Sequence, residues 1–134
     1  MKRIALKIDV DTSHGTQSGV PALVEILRNH SAQASFFFSL GPDRSGCASD
    51  SESLKRYYDL STRLYGRLLP APDIGTRYAD ILKQTLESGF EAGVHAWDRT
   101  QWEEEILDSG IDLAESALEK ACQQIGRASC RERV

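Results

Sequence analysis

Arg3 to Thr12 reads RIALKIDVDT, an apolar run that ends abruptly in two acids. Ile4, Leu6 and Ile8 alternate with Ala5 and Lys7, the period of a β-strand. Asp9 and Asp11 are two residues apart, so a regular strand puts them on one face, close enough to couple. Paired carboxylates at a strand's C-terminal end suit metal or acid–base chemistry, because α/β active sites collect at that edge. Two solvated acids opening a turn is the plainer reading of the same residues. The rest of the chain has to decide between them.

Downstream, Ser13 to Gly19 has the composition of a loop, and Gly19-Val20-Pro21 opens a helix with proline near its first turn. Val20, Leu23, Val24 and Leu27 form the stripe of a helix packed on a sheet. Asn29 and His30 end it, and His30 reads as a helix-terminus residue, not a ligand. Ala34 to Leu40 (ASFFFSL) is too apolar for half exposure, so it reads as a buried second strand stopped by Gly41-Pro42. Strand, helix and strand in this span make one βαβ unit with parallel strands and a right-handed crossover.

Leu54 to Leu69 places Leu54, Tyr57, Tyr58, Leu64, Tyr65 and Leu68 on one side of a helical wheel, with Arg56, Arg63 and Arg67 opposite. Such a helix can lie in a membrane interface beside anionic lipid, or simply pack on its own domain. Pro70 and Pro72 break it. A further helix is expected from about Thr76 to Ser88, with Tyr78, Ile81, Leu82 and Leu86 inward and Gly89 as its C-cap. Phe90 to His95 (FEAGVH) reads as the third strand, ending in His95. A last helix starts near Asp108 to Ile111, with Ala114, Ala117, Leu118 and Ala121 as its buried stripe.

The 134 residues suit one domain, and 40% apolar with 27% charged is ordinary for a soluble globular chain. The formal charge of −4 gives no reason to expect nucleic acid as a partner. Nothing before Ile4 resembles a signal peptide, and no apolar run approaches a membrane span. Cys47, Cys122 and Cys130 lack metal-site spacing and are too few for a disulfide framework, so a cytoplasmic, reducing compartment is expected.

An aspartate pair and a histidine at the ends of two strands of one sheet suit a divalent metal, which accepts oxygen and nitrogen ligands. Two ligands are not a site, and a third is needed. IDVDT, SFFFSLGPD, LLPAPDIG and FEAGVHAWD together resemble the polysaccharide deacetylases, those with a NodB homology domain. The nearest branch deformylates 4-deoxy-4-formamido-L-arabinose-phosphoundecaprenol, a step in lipid A modification and antimicrobial-peptide resistance. The resemblance runs from Met1 to about Gln124. It implies the N-terminal part of a distorted (β/α) barrel, incomplete here, that hydrolyses an N-formyl or N-acetyl amide on a lipid-linked amino sugar. It implies one divalent metal (zinc, manganese or cobalt), with Asp9 as general base and Asp11 and His95 as metal ligands. It also implies work at the inner face of the cytoplasmic membrane, which gives Leu54 to Leu69 a lipid surface to meet.

The resemblance breaks at two places. Arg99 stands where the motif's second histidine belongs, and a guanidinium has no lone pair for a cation. Family members also continue with further strands, an arginine motif and a histidine general acid beyond the last matching residue. Ile125 to Val134, IGRASCRERV, resembles one reading frame of a short-read sequencing adaptor. The expectation is a partial domain at 1–124 and a non-native tail at 125–134, with this chain inactive by itself. Two other readings stand. D-x-D-x-T after an apolar strand also opens haloacid-dehalogenase-like phosphohydrolases, with Asp9 as nucleophile, both acids on magnesium and Ser39 as a second motif. That reading predicts nothing for GVHAWD. A third is a non-catalytic chain that binds a lipid-linked sugar.

Overall fold

The computed structural model describes residues 4–48, 52–101, 115–121 and 123. Three parallel strands, β1 (Lys7–Val10), β2 (Ser35–Ser39) and β3 (Glu91–Ala96), form one sheet with β2 in the centre. Lys7 pairs with Ser35, and Ser35 with Glu91, so the strands run level from their first residues. This α/β architecture is consistent with the first part of the expected barrel. Three strands do not close one.

Helix α1 (Val20–Asn29) crosses from β1 to β2, and α5 (Ala79–Glu87) leads into β3. Both pack on the face that carries Val10, Phe36 and Phe38, where Val20, Leu27 and Leu82 join one apolar cluster. Phe36 and Phe38 are fully buried, and Phe36 meets Phe90 edge-on with ring centroids 5.7 Å apart. Each such side chain contributes about 1.5–3 kcal/mol by leaving water. The sheet's other face differs. Phe37 is only half-buried, with the Lys7 ammonium 5.1 Å from its ring centre. β2 is therefore fully buried on one face and only partly on the other, where its composition suggests burial on both.

Several expected boundaries move, each for a local reason. β1 begins at Lys7, which leaves Ile4 85% and Leu6 43% exposed. The stretch before α1 is helical, not a loop. Gly15–Gly19 forms a π-turn in which the Val20 N–H bonds to the Gly15 carbonyl. Within α1, Leu23 is exposed while Val20 and Leu27 are buried, so the apolar stripe is narrower than expected. Asp73 accepts the Thr76 N–H at 2.9 Å and starts α4 (Ile74–Arg77) early, and Tyr78 separates α4 from α5. Gly89 ends α5 with φ +87, as expected of a C-cap. Residues 115–121 are helical, with Ala117 and Ala121 buried but Leu118 exposed. Ala114, the start of that helix and the 125–134 tail lie outside the described residues.

The largest correction concerns Leu54 to Leu69, which is not one helix. It holds two short helices, α2 (Glu52–Lys55) and α3 (Leu60–Leu64). Asp59 sits between them in an extended conformation and caps α3 through Thr62. Desolvation pushes the Asp59 carboxyl upward, but its hydrogen bonds with Thr62 and the nearby charge of His14 outweigh that and hold it below its ordinary value. Gly66, at φ +80, then turns the chain. A wheel drawn across both helices has no physical counterpart, so the amphipathic-face argument for membrane contact falls. Leu54, Tyr57, Leu60 and Leu68 are exposed around these turns.

The PAPDIG segment docks against the loop that follows β2. Asp43 N–H bonds to the Pro72 carbonyl at 2.8 Å, and Ile74 and Gly75 N–H bond to the Gly41 and Leu40 carbonyls at 3.0 and 2.7 Å. The same loop touches the turn after β3, where Gly41 N–H meets the Trp97 carbonyl at 2.6 Å. A Cβ on Gly41 would lie 2.5 Å from that carbonyl oxygen and 2.8 Å from the indole nitrogen. Gly41→Ala should therefore destabilise the fold by roughly 1–3 kcal/mol, the usual range for a forced overlap. Chemical denaturation reads it, and an unchanged midpoint would contradict the close approach.

Candidate active site

Parallel strands deliver their C-terminal ends to one edge, and all three bring a polar residue there. Asp11 follows β1, Ser39 closes β2 and His95 is the penultimate residue of β3. One carboxylate oxygen joins them. Asp11 Oδ1 accepts the Ser39 hydroxyl at 2.6 Å and lies 2.8 Å from His95 Nδ1. A carboxylate only accepts, so Nδ1–H is the donor in this contact. The register explains how His95 reaches across. Phe38 pairs with Val94, but Ser39 pairs with Ala96, so His95 is an extra residue in its strand. Such a bulge re-aims a side chain at the end of a ladder.

The loops behind these residues are fixed by a carboxylate the sequence reading passed over. Asp43 is 2% exposed and accepts the Ser13 N–H at 2.7 Å, the Ser45 N–H at 3.1 Å and the Ser45 hydroxyl at 2.6 Å. It ties the turn after β1, two residues past Asp11, to the loop after β2. Asp98, also buried, accepts the Thr100 and Gln101 N–H groups at 3.0 and 3.3 Å and stands 3.5 Å from Arg44. The GPD turn and the D-x-T spacing are the signals that could have found them.

Asp9 is not drawn into this cluster. Its carboxylate pairs with Lys7 Nζ at 2.8 Å and is 38% exposed. Asp11 is past the strand's last residue and turns toward Ser39 and His95 instead, so alternation alone does not couple the two acids. His14 is exposed, and its charge acts on Asp59.

The donor chemistry of Asp11 and His95 suits a divalent ion, but a facial set needs a third protein ligand. Among the described residues no three or more His, Cys, Asp or Glu side chains come together in a way that could hold a metal. The fourth residue after His95 is the half-buried Arg99, which ligates no cation. The described residues therefore do not fit a three-ligand metal centre.

The chain is 40% identical over 116 residues to the probable 4-deoxy-4-formamido-L-arabinose-phosphoundecaprenol deformylase ArnD of Shewanella sediminis, covering 75% of this chain and 37% of that protein. It is 33% identical over 123 residues to the protein of the same name from Wigglesworthia glossinidia brevipalpis, covering 78% and 43%. The chain belongs to the same family as these two proteins. No protein-family model matches it. The chain spans about two-fifths of the length of the curated relatives it matches.

The missing donor can be tested within this family's frame. Arg99→His should bring bound zinc or manganese after dialysis close to one ion per chain, whereas the unsubstituted chain should hold well below one. Metal analysis of both proteins reads it. A stoichiometric ion in the Arg99 chain would overturn the ligand count.

Proposed function

We propose that this chain supplies the β1–β3 part of the active site of a deformylase, one that removes the formyl group from a 4-deoxy-4-formamido-L-arabinose unit carried on phosphoundecaprenol. The observation that carries the reading is the convergence of Asp11, Ser39 and His95 within a stretch 40% identical to a protein named for that reaction. The haloacid-dehalogenase-like reading gave His95 no part, and the contact of His95 with Asp11 favours the deformylase.

The reaction adds water across the formyl C–N bond. The water oxygen bonds to the formyl carbon, the C–N bond breaks, and the amine leaves with a proton as formate forms. Asp9 is the proposed base for the attacking water. It lies within β1, two residues before Asp11, and its partial exposure leaves it open to solvent. Asp11 holds Ser39 and His95 as a fixed polar wall against which the formamide is oriented. Its hydrogen bond to Nδ1 keeps the His95 ring from turning.

A chimera tests this. Residues 1–124 carrying Arg99→His would replace the matching segment of the Shewanella relative, and formate release from the formamido-sugar lipid would be measured. The chimera should turn over, and Asp9→Asn within it should lower the rate by roughly 10²–10⁴-fold while the melting temperature stays put. No formate from the chimera, or an Asp9→Asn rate within a few-fold of its parent, would sink the proposal.

A further inference from the structure

Asp43 is a buried acid that the proposed reaction does not use. At 2% exposure it has left water, and among the described residues no lysine, arginine or histidine forms an ion pair with it. A carboxylate kept there needs hydrogen-bond donors or a dipole to hold it. It has three donors, divided unequally between its oxygens. Oδ1 takes the N–H and the hydroxyl of Ser45 from its own loop, which fixes the direction of the carboxylate. Oδ2 reaches across 30 residues of sequence to the Ser13 N–H at 2.7 Å.

Ser13 is where the second oxygen matters. The chain is already helical at Ser13 and stays so through the π-turn into α1, so this N–H lies at the positive end of a helical stretch. Thr12 caps the stretch, its hydroxyl oxygen accepting the Gly15 N–H at 2.9 Å. The Ser13 hydroxyl is buried and has no hydrogen-bond partner among the described residues, so the grip on Ser13 is its N–H bond to Asp43. Ser13 stands two residues past Asp11, and Asp43 four past Ser39. The same two strand ends are therefore tied twice, at the edge through Asp11 and Ser39 and again behind it.

We propose that Asp43 is a positioning residue of the active site. By holding the Ser13 N–H it fixes where the chain leaves β1, and so keeps the Asp11 carboxylate on Ser39 and His95. The catalytic consequence rests on the deformylase reading; the hold on the Asp11–His95 contact does not. An amide cannot take this place. All three partners are donors, so the NH2 of an asparagine would face one of them. The neighbouring Arg44 reaches Asp98 instead, but at 3.5 Å and with its side chain 53% exposed it grips less.

The test has two arms. In this chain, NMR with nitrogen-labelled histidine follows the His95 Nδ1 proton, which the Asp11 carboxylate holds against exchange. Asp43→Asn should remove that signal, as Asp11→Asn does. Asp59→Ala, which strips the cap of α3, should leave it in place while also lowering the melting temperature. Ser13→Pro deletes only the donor, in a first helical turn that accepts proline, and should act like Asp43→Asn. It carries the test alone if Asp43→Asn does not fold. In the Arg99→His chimera, either variant should lower kcat by roughly 10²-fold, the scale of a small misplacement at a reacting centre, with KM within a few-fold of its parent. The double variant should lose little more than either single one, since both break the same bond. A His95 signal that is absent from the original chain, survives Asp43→Asn and Ser13→Pro, or is equally abolished by Asp59→Ala would overturn the proposal. So would an unchanged kcat, or losses that multiply in the double variant. If the signal responds as expected and the parent chimera releases no formate, the positioning role stands and the deformylase reading falls.

Discussion

A single carboxylate oxygen, Asp11 Oδ1, takes hydrogen bonds from the ends of both other strands, and the rest of the structure serves to keep it there. Hydrogen bonds to a charged group are worth about 1.5–3 kcal/mol, enough to hold side chains but not to align strands. Alignment comes from the apolar face. Phe36 and Phe38 anchor β2 under α1 and α5, and the level register then brings three strand ends to one edge. The bulge at His95 supplies the last correction in direction. Asp43, buried behind the edge, keeps the turn after Asp11 from drifting by tying Ser13 to the loop after β2.

Strand identity, α1, the Gly89 cap and the placing of Asp11 and His95 at one sheet edge were legible in the sequence, because apolar period and punctuation residues carry that information locally. Other features depended on neighbours the sequence does not place. Leu54 to Leu69 has a sound helical period, yet the Asp59 cap and the Gly66 turn divide it, and capping hydrogen bonds outweigh a weak propensity. Ser39 looked like the end of a hydrophobic strand. Only the parallel register, with the bulge beside it, puts its hydroxyl on Asp11. Asp43 and Asp98 act through backbone N–H groups of other turns and of their own loop, partners that the sequence does not place.

The D-x-D pair separates into two jobs for a geometric reason. Asp9 belongs to the strand and meets Lys7 two residues before it, while Asp11 stands beyond the last ladder residue and is free to turn inward. This is a division of labour that a shared strand face does not predict. It leaves one acid exposed to water and the other committed to holding a histidine, the arrangement on which the proposed hydrolysis relies. Arg99, four residues past His95, has no lone pair to offer a cation, so among the described residues Asp11 and His95 are joined by no third donor.

The claim that Asp11 and His95 act as one unit is open to direct measurement by a double-mutant cycle. Unfolding free energies of the original chain, Asp11→Asn, His95→Gln and the double variant would be compared at neutral pH. Residues in contact couple by about 0.5–3 kcal/mol, and a value in that range is expected here. Strictly additive effects would mean that the two side chains do not share the contact, and the site as described would not stand.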